Sequence, residues 1–434
     1  MLPAHVLYRS ALRSFRAVSP LLSGGSSKLA RGLRGRRDAQ EQLTEWGHSR
    51  RNTTRPTVWV HASSVGEALQ ARAVLEAIRE RVPKIQVAST FFSPSAENLR
   101  SAYPADVTTY LPWDLPETMA TVLDALQPSA LLFTQREVWP TLTAEAVARK
   151  VPIFLIAGTL AQGAARLGWP MRRMLAPTFA SLQAVGAISP EDGARFRQLC
   201  TPSHRIFVTG DPGIDSAWNR ASEVDQSAPH MRLFSEKQGP ILVAGSTWVS
   251  DEAVLIPALT QARRTSPDLR LVVAPHEPAR CDFALLKQRL EENGWTPITL
   301  AEAEKRGDLC GTDAIVVERL GVLADLYSVA TVAYVGGGFH AHGLHSVLEP
   351  AAASVPVLFG PRYQGSYSAS RLLALEGGKM VTDSDCMARQ LREWLSDQKK
   401  ITTTGRCALR YIEEHRGSAV RTAELVTPYL SESI

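Results

Sequence analysis

Thr331–Pro361, TVAYVGGGFHAHGLHSVLEPAAASVPVLFGP, decides how the rest of the chain is read. It opens on an apolar run, Val332–Val335, short and β-rich enough for a buried strand. Three glycines follow, Gly336–Gly338, and then a loop carrying His340, His342 and His345. Glu349-Pro350 and the small residues after them read as a short helix, because proline suits the first helical position. A second strand, Val355–Phe359, closes the unit. Strand, glycine loop, helix and strand in that order form a ligand crevice at the carboxyl edge of an α/β sheet. Glycine lets backbone amides approach a phosphate, and a helix amino terminus favours negative charge there, so the stretch predicts a nucleotide or phosphate site. The three histidines raise the question of a metal, but they have neither a partner cysteine nor His-x-x-x-His spacing, and no metal is expected.

The same alternation extends in both directions. Upstream, strands are predicted at Val58–Ala62, Ile85–Thr90, Val107–Tyr110, Ala130–Thr134, Ile153–Ala157, Ala184–Ile188 and Ile206–Thr209. Helices at Glu67–Arg81, Ser95–Ala102 and Glu117–Leu126 lie among them. A second series begins at Ile241–Ala244 and continues through Leu269–Ala274 and Ile315–Val317 into the opening stretch. Its helices fall near Asp251–Arg264, Cys281–Asn293, Leu323–Val329 and Cys386–Leu395. Strands alternating with helices imply parallel, doubly wound sheets. The fold class is therefore α/β, with two similar halves, and the active site is expected in the cleft between them. The expected boundaries are 1–54 for a basic arm, 55–212 for the first domain, 213–239 for a polar linker and 240–404 for the second domain. Residues 405–434 are expected as a helix packing back on the first.

Composition is that of a soluble globular protein, 44% hydrophobic and 21% charged over 434 residues. Five scattered cysteines without a CxxC pair suggest neither a zinc site nor a disulfide framework, and fit a reducing compartment. Charge is unevenly placed. The first 55 residues hold eleven Lys/Arg against three acids, a charge of +8 in a chain of +5. Leu2, Val6, Leu7, Leu12, Phe15, Val18, Leu21 and Leu22 are interleaved with those arginines. No run of about 18 apolar residues occurs, so no transmembrane helix is expected, and the arginines interrupt any signal-peptide core. The functional reading is a basic amphipathic arm on an anionic membrane surface. The plainer readings are a solvated arm or a helix packed on the body. Nucleic acid is not expected as a partner, because no aromatic-interleaved basic stripe is present.

Three further stretches sit at strand ends. In His61–Glu67, Ser64 and Glu67 have the S-x-x-E spacing of a helix capping box, which accounts for both structurally. Glu67 at a helix start could equally serve as a general base, with Gly66 allowing close approach of a ligand. Ala244–Thr247, before a helix expected to be capped at Ser250, could donate hydroxyls to a phosphate or simply turn the chain. His276, between Pro275 and Glu277-Pro278, could face an anion or lie exposed.

SSVGE (Ser63–Glu67), YLPWDLP (Tyr110–Pro116), EVWP (Glu137–Pro140), AGST (Ala244–Thr247) and HGLHSVLEPA (His342–Ala351) occur in the order seen in bacterial 3-deoxy-D-manno-octulosonic acid (Kdo) transferases. From about residue 55 to about 380 the chain resembles that family. The resemblance implies a GT-B glycosyltransferase, two Rossmann-like domains facing across a cleft, that inverts configuration as it moves Kdo from CMP-Kdo to a lipid A precursor. The work would be done at the cytoplasmic face of the inner membrane, with no cofactor and no metal. By that likeness Glu67 is the catalytic base. Ser246, Thr247, Pro275, His276, Gly337, Gly343, Ser346 and Glu349 fall on the donor side, Glu349 placed for the ribose hydroxyls. Ser64, Gly66, Arg136 and Glu137 fall on the acceptor side.

Four departures from the family pattern bear on the substrates. Gln135-Arg136-Glu137 stands where the family has Glu-Thr-Glu, His276-Glu277 where it has Arg-His, Ser346 where it has Asn, and Gly321-Val322 where it has Gly-Glu. Two alternatives follow: a related transferase using another CMP-activated acidic sugar or other nucleotide sugar, or a non-catalytic membrane-associated binding protein.

Overall fold

The structure is a computed structural model that describes residues 3–25, 27–94, 97, 103–199, 202–235 and 239–430. The helix expected at Ser95–Ala102 lies outside the described residues. The chain divides into two units, Met1–Ser216 with Gly417–Ile434, and Ala217–Arg416.

The first unit is built on seven parallel strands: β1 (Thr57–His61), β2 (Gln86–Phe91), β3 (Val107–Tyr110), β4 (Ala130–Thr134), β5 (Ile153–Gly158), β6 (Ala184–Ala187) and β7 (Ile206–Val208). Their order is β3-β2-β1-β4-β5-β6-β7. β1, β2, β4, β5 and β6 are buried at every position, as expected of strands covered by helices on both faces. That is why they read as unbroken apolar runs such as Ala130-Leu131-Leu132-Phe133 rather than as alternations.

The second unit has β8 (Ile241–Thr247), β9 (Arg270–Pro275), β10 (Pro297–Thr299), β11 (Ala314–Val316), β12 (Val332–Val335), β13 (Val357–Phe359) and β14 (Gly378–Met380). These lie in the order β10-β11-β9-β8-β12-β13-β14, again all parallel. The two edge strands, β10 and β14, were not expected. Each has three residues, and neither Pro-Ile-Thr nor Gly-Lys-Met offers an apolar run to read. β8 also runs on through Ala244–Thr247, where a turn was expected, with its register to β9 slipping between Gly245 and Thr247.

The expected boundary at residue 55 is corrected by the amino-terminal helices, α1 (Pro3–Leu22) and α2 (Lys28–Ser49). Leu43 and Trp46 of α2 sit in the same apolar core as Trp59, Leu131 and Phe133. Gly35 and Gly47 allow the close approach, since a Cβ would meet the Tyr110 ring at 2.1 Å and the Ala125 carbonyl at 2.6 Å. The second half of the basic arm is thus part of the first unit, because its apolar stripe covers β3 and the neighbouring helix. No helix among the described residues is long and apolar enough to cross a membrane.

Residues 213–239, expected as linker, contain the helices Pro212–Ser222 and Pro229–Arg232, whose proline starts hide among polar residues. The expected terminal helix is two helices, Gln398–His415 and Ser418–Val426, broken at Gly417, which holds φ +84°. The second packs on the first unit: Ala419, Ala423 and Val426 share a core with Val58, Val74 and Ile78. Asp215 fixes its start by accepting from Gly417 N–H (2.6 Å) and Ala419 N–H (2.8 Å).

Candidate active site

In the first unit the carboxyl ends of β1 and β4, which are hydrogen-bonded neighbours, deliver the residues that matter. β1 ends at His61, and three residues later Ser64 caps α3 (Val65–Arg81), its hydroxyl accepting from Glu67 N–H at 3.4 Å. The capping reading is therefore half right. Glu67 does not return its carboxylate to the cap residue; it reaches one residue further, where Ser63 N–H donates to Oε2 at 2.7 Å. Glu67 is 6% exposed. Burial pushes its carboxyl up to about 7; the Ser63 N–H bond opposes the rise, Glu137 adds to it, and Arg136 and Arg166 pull it down. A carboxyl that titrates near neutrality at a helix start suits general-base work.

β4 leads through Gln135, in the left-handed region at φ +61°, to Arg136 and Glu137. The Ser63 hydroxyl donates to Glu137 Oε2 at 2.6 Å, so one serine ties both carboxylates together. His61 stands behind, Nε2 3.3 Å from the Ser63 hydroxyl and Nδ1 3.1 Å from that of Thr90. Burial holds its pKa down at about 3, so it is neutral at pH 7. Gly66 is exposed, and a Cβ there would meet nothing within 4 Å, so the space above the helix start is open. Ser64, Gly66, Glu67 and Glu137 are thus one neighbourhood, with Arg136 exposed and acting on Glu67 through space. Ser63 and Arg166 were missed. Ser63 lies inside the quoted SSVGE motif, but nothing in the spacing says that it bridges two acids.

In the second unit, β9, β8, β12 and β13 are successive neighbours, and their carboxyl ends carry the predicted donor-side residues. Gly336 and Gly337 lie close to backbone: a Cβ on Gly336 would meet the Ser246 carbonyl at 2.2 Å, and one on Gly337 the Gly343 carbonyl at the same distance. Gly337 and Gly343 hold φ +92° and +85°, which glycine adopts freely, and Ser246 holds +55° without that freedom.

The organiser of this loop is Asp251, which sequence reasoning passed over. It is fully buried and accepts from Gly337 N–H (2.8 Å), Phe339 N–H (3.3 Å), the Tyr334 hydroxyl (2.8 Å) and Trp248 N–H (2.9 Å). The last bond makes Trp248, not Ser250, the cap of the helix Val249–Arg263. The signal was present, because an acid three residues past a cap is half of a capping box.

The remaining donor-side residues fall as follows. The Thr247 hydroxyl donates to Glu252 (3.1 Å) and is buried, so it is turned away from a ligand. His276 follows Pro275, the last residue of β9, and its N–H donates to the Thr247 carbonyl (2.9 Å). Its ring stacks on His345 at 4.0 Å, while Trp248 stacks on His340 at 4.0 Å and 4°. Trp248 Nε1–H donates to His345 Nε2 at 3.0 Å, and burial, then the neighbouring imidazoles, keep His345 neutral with a pKa of about 3. These rings lie face to face, and among the described residues no three metal-ligating side chains form a metal site. Ser346 is exposed, its hydroxyl accepting from Leu348 N–H at 3.3 Å. Glu349 lies in the first turn of the five-residue helix Leu348–Ala352 and is paired with Arg220.

Two parallel sheets of seven strands, each flanked by helices and each bearing its polar residues at carboxyl ends, define a GT-B fold. A glycosyltransferase from Rickettsia africae has the same fold, with a TM-score of 0.58 at 10% identity over 87% of this chain and 100% of that one. Residues 37–216 match the family model of 3-deoxy-D-manno-octulosonic-acid transferase (kdotransferase). The chain is 24% identical over 381 residues to the 3-deoxy-D-manno-octulosonic acid transferase of Haemophilus influenzae, covering 87% of this chain and 88% of that protein. It is 29% identical over 334 residues to that of Chlamydophila psittaci, covering 75% and 74%. The chain is a glycosyltransferase, and over most of its length it is similar to Kdo transferases.

Proposed function

We propose that the enzyme moves Kdo from CMP-Kdo to the hydroxyl of a lipid A precursor, with inversion, in lipopolysaccharide synthesis. The observation that carries this reading is Glu67: a buried carboxyl at a strand end, tied by Ser63 and pushed up to about 7. In the proposed step the ionised Glu67 takes the acceptor hydroxyl's proton as that oxygen attacks the anomeric carbon. The bond from that carbon to the phosphate oxygen breaks, and CMP leaves with the electron pair. Ser63 holds the Glu67 carboxylate and, through Glu137, keeps a second negative charge near it, which makes it a stronger base.

On the donor side, the Asp251-braced loop offers glycine backbone and His276 to the phosphate, and Glu349 offers a carboxylate to the ribose. The relatives' names supply the sugar, and the family resemblance supplies CMP and the acceptor. The enzyme would sit peripherally on the cytoplasmic face of the inner membrane through α1. That helix leaves Leu7 (71% exposed), Val18, Leu21 (86%) and Leu22 on one stripe facing away from the body.

Arg136 and His276-Glu277 favour a second reading, a different CMP-activated acidic sugar, because they change charge on both substrate sides. An assay of CMP release over CMP-Kdo, another CMP-activated acidic sugar, and UDP and GDP sugars, with and without lipid A precursor, tests both. Acceptor-dependent release from CMP-Kdo supports the first, from another sugar alone the second, and from none refutes both.

A further inference from the structure

A cavity of about 160 Å³ lies in the first unit between α1, α2 and the loop that follows β3. Roughly five waters' share of volume fits such a space. Three guanidinium groups line it, Arg16 from α1 and Arg36 and Arg37 from α2, against apolar walls that include Pro20, Leu33 and Trp113.

Arg36 is the informative one. It lies over the Phe92 ring at 3.6 Å and 5.7 Å from that of Trp113, and it makes no hydrogen bond or ion pair among the described residues. Burial lowers its pKa to about 10, so it stays charged at pH 7. Glu137 acts on the Arg36 charge through space while accepting from the Ser63 hydroxyl, and the other carboxylates close by are committed elsewhere. Glu117 pairs with Arg13 at 3.1 Å, and Asp114 accepts from the Tyr8 hydroxyl and from Thr141 and Leu142 N–H. A partly buried cation with no carboxylate in contact among the described residues is costly, and a bound anion would relieve it.

Two surroundings say what carries that anion. Outward, the apolar stripe of α1 flanks the cavity. Inward, Phe92 stacks on Trp139 at 5.5 Å, and Trp139 meets His61 at 6.1 Å, which leads from the cavity to the Ser63–Glu137–Glu67 group. We propose that this cavity is an anion subsite that takes a phosphate group borne by an amphiphile, held by the fork of Arg36 with Arg16 and Arg37 at its rim. The inference rests on reading the chain as a transferase for an amphiphilic acceptor, and it adds where the acceptor's phosphate, or that of a bilayer lipid, is gripped. Arginine suits the task because its planar fork meets phosphate bidentately.

The test is sedimentation of the full chain with phosphatidylcholine vesicles containing phosphatidic acid or, at equal surface charge, phosphatidylglycerol, at physiological and at raised salt. Losing any one surface arginine weakens binding about fivefold at low salt, an effect that salt erases. Loss of a buried charge-assisted grip should persist at raised salt. Arg36→Gln is therefore expected to bind phosphatidic acid vesicles at least tenfold more weakly there, with Arg36→Lys intermediate and the control Arg50→Gln unchanged. The double variant Arg16→Gln/Arg37→Gln, at the rim, carries the test if Arg36→Gln does not melt cooperatively.

Binding of both variants equal to the unchanged protein at raised salt overturns the subsite. Displacement from vesicles by low-millimolar inorganic phosphate overturns the amphiphile and leaves a soluble-anion site. Titration of the same variants with CMP separates this outcome from the transferase reading: intact CMP binding with unaltered vesicle binding sinks the subsite alone.

Discussion

Glu67 and Glu137 share Ser63, and that shared residue makes the pH behaviour predictable. The proposed base, Glu67, must be ionised, so transfer should rise with pH along a limb centred near 7, where burial has moved its carboxyl. Glu137→Gln keeps an acceptor for the Ser63 hydroxyl but removes the like charge. The limb should therefore shift to lower pH, and a pH–rate profile of kcat reads the shift directly. The same burial has a stability signature. Glu67 binds a proton in the folded state that the unfolded chain releases nearer 4.5, so its stabilising share is full below about 4.5 and lost as pH rises through about 7. Glu67→Gln has no such loss. Between pH 5 and pH 8 the variant should gain on the parent by up to about 3 kcal/mol, seen by urea unfolding at both pH values. The sequence made Glu67 visible through its S-x-x-E spacing and left its partners hidden. Ser63 and Arg166 reach it through the meeting of strand ends, which no local spacing records.

At the scale of elements, the amino-terminal arm divides in two. α2 contributes Leu43 and Trp46 to the core, whereas α1 rests on the body by one face, through Leu12, Tyr8 and Arg13. A chain beginning at Lys28 should fold and lose most vesicle binding. One beginning at Arg55 uncovers an apolar core and should fail to give a cooperative melt, since losing a buried aromatic alone costs about 3–5 kcal/mol. Circular dichroism melting of the two truncations checks this. The alternation of leucines and arginines was legible over both helices, but the packing was not, because it depends on Gly35 and Gly47 meeting Tyr110 and Ala125 across the chain.

The donor loop makes the complementary point. Its glycines were legible, and the side chain that fixes them was not. Asp251→Ala strands three backbone N–H groups and the Tyr334 hydroxyl in a buried place. It should lower stability by roughly 3–5 kcal/mol and weaken CMP binding in calorimetric titration. Unchanged CMP affinity in a folded variant would remove Asp251 from the donor site.

On the scale of the whole molecule, the twofold α/β arrangement was legible because parallel strands buried on both faces leave apolar runs. What was missed was short or split: β10 and β14 with three residues each, the helices within 213–239, and the break at Gly417 that returns the last helix to the first unit. Both units matter to the proposed chemistry, one supplying the base and the other the loop for the leaving group. The most direct measurement of that division is acceptor-dependent CMP release from CMP-Kdo by the parent and by Glu67→Gln, with CMP affinity measured on both. The account predicts equal CMP affinity and a loss of release of roughly 10²–10⁴-fold in the variant. Release by Glu67→Gln at the parent's rate would contradict it, leaving Glu67 as no more than a helix-start residue.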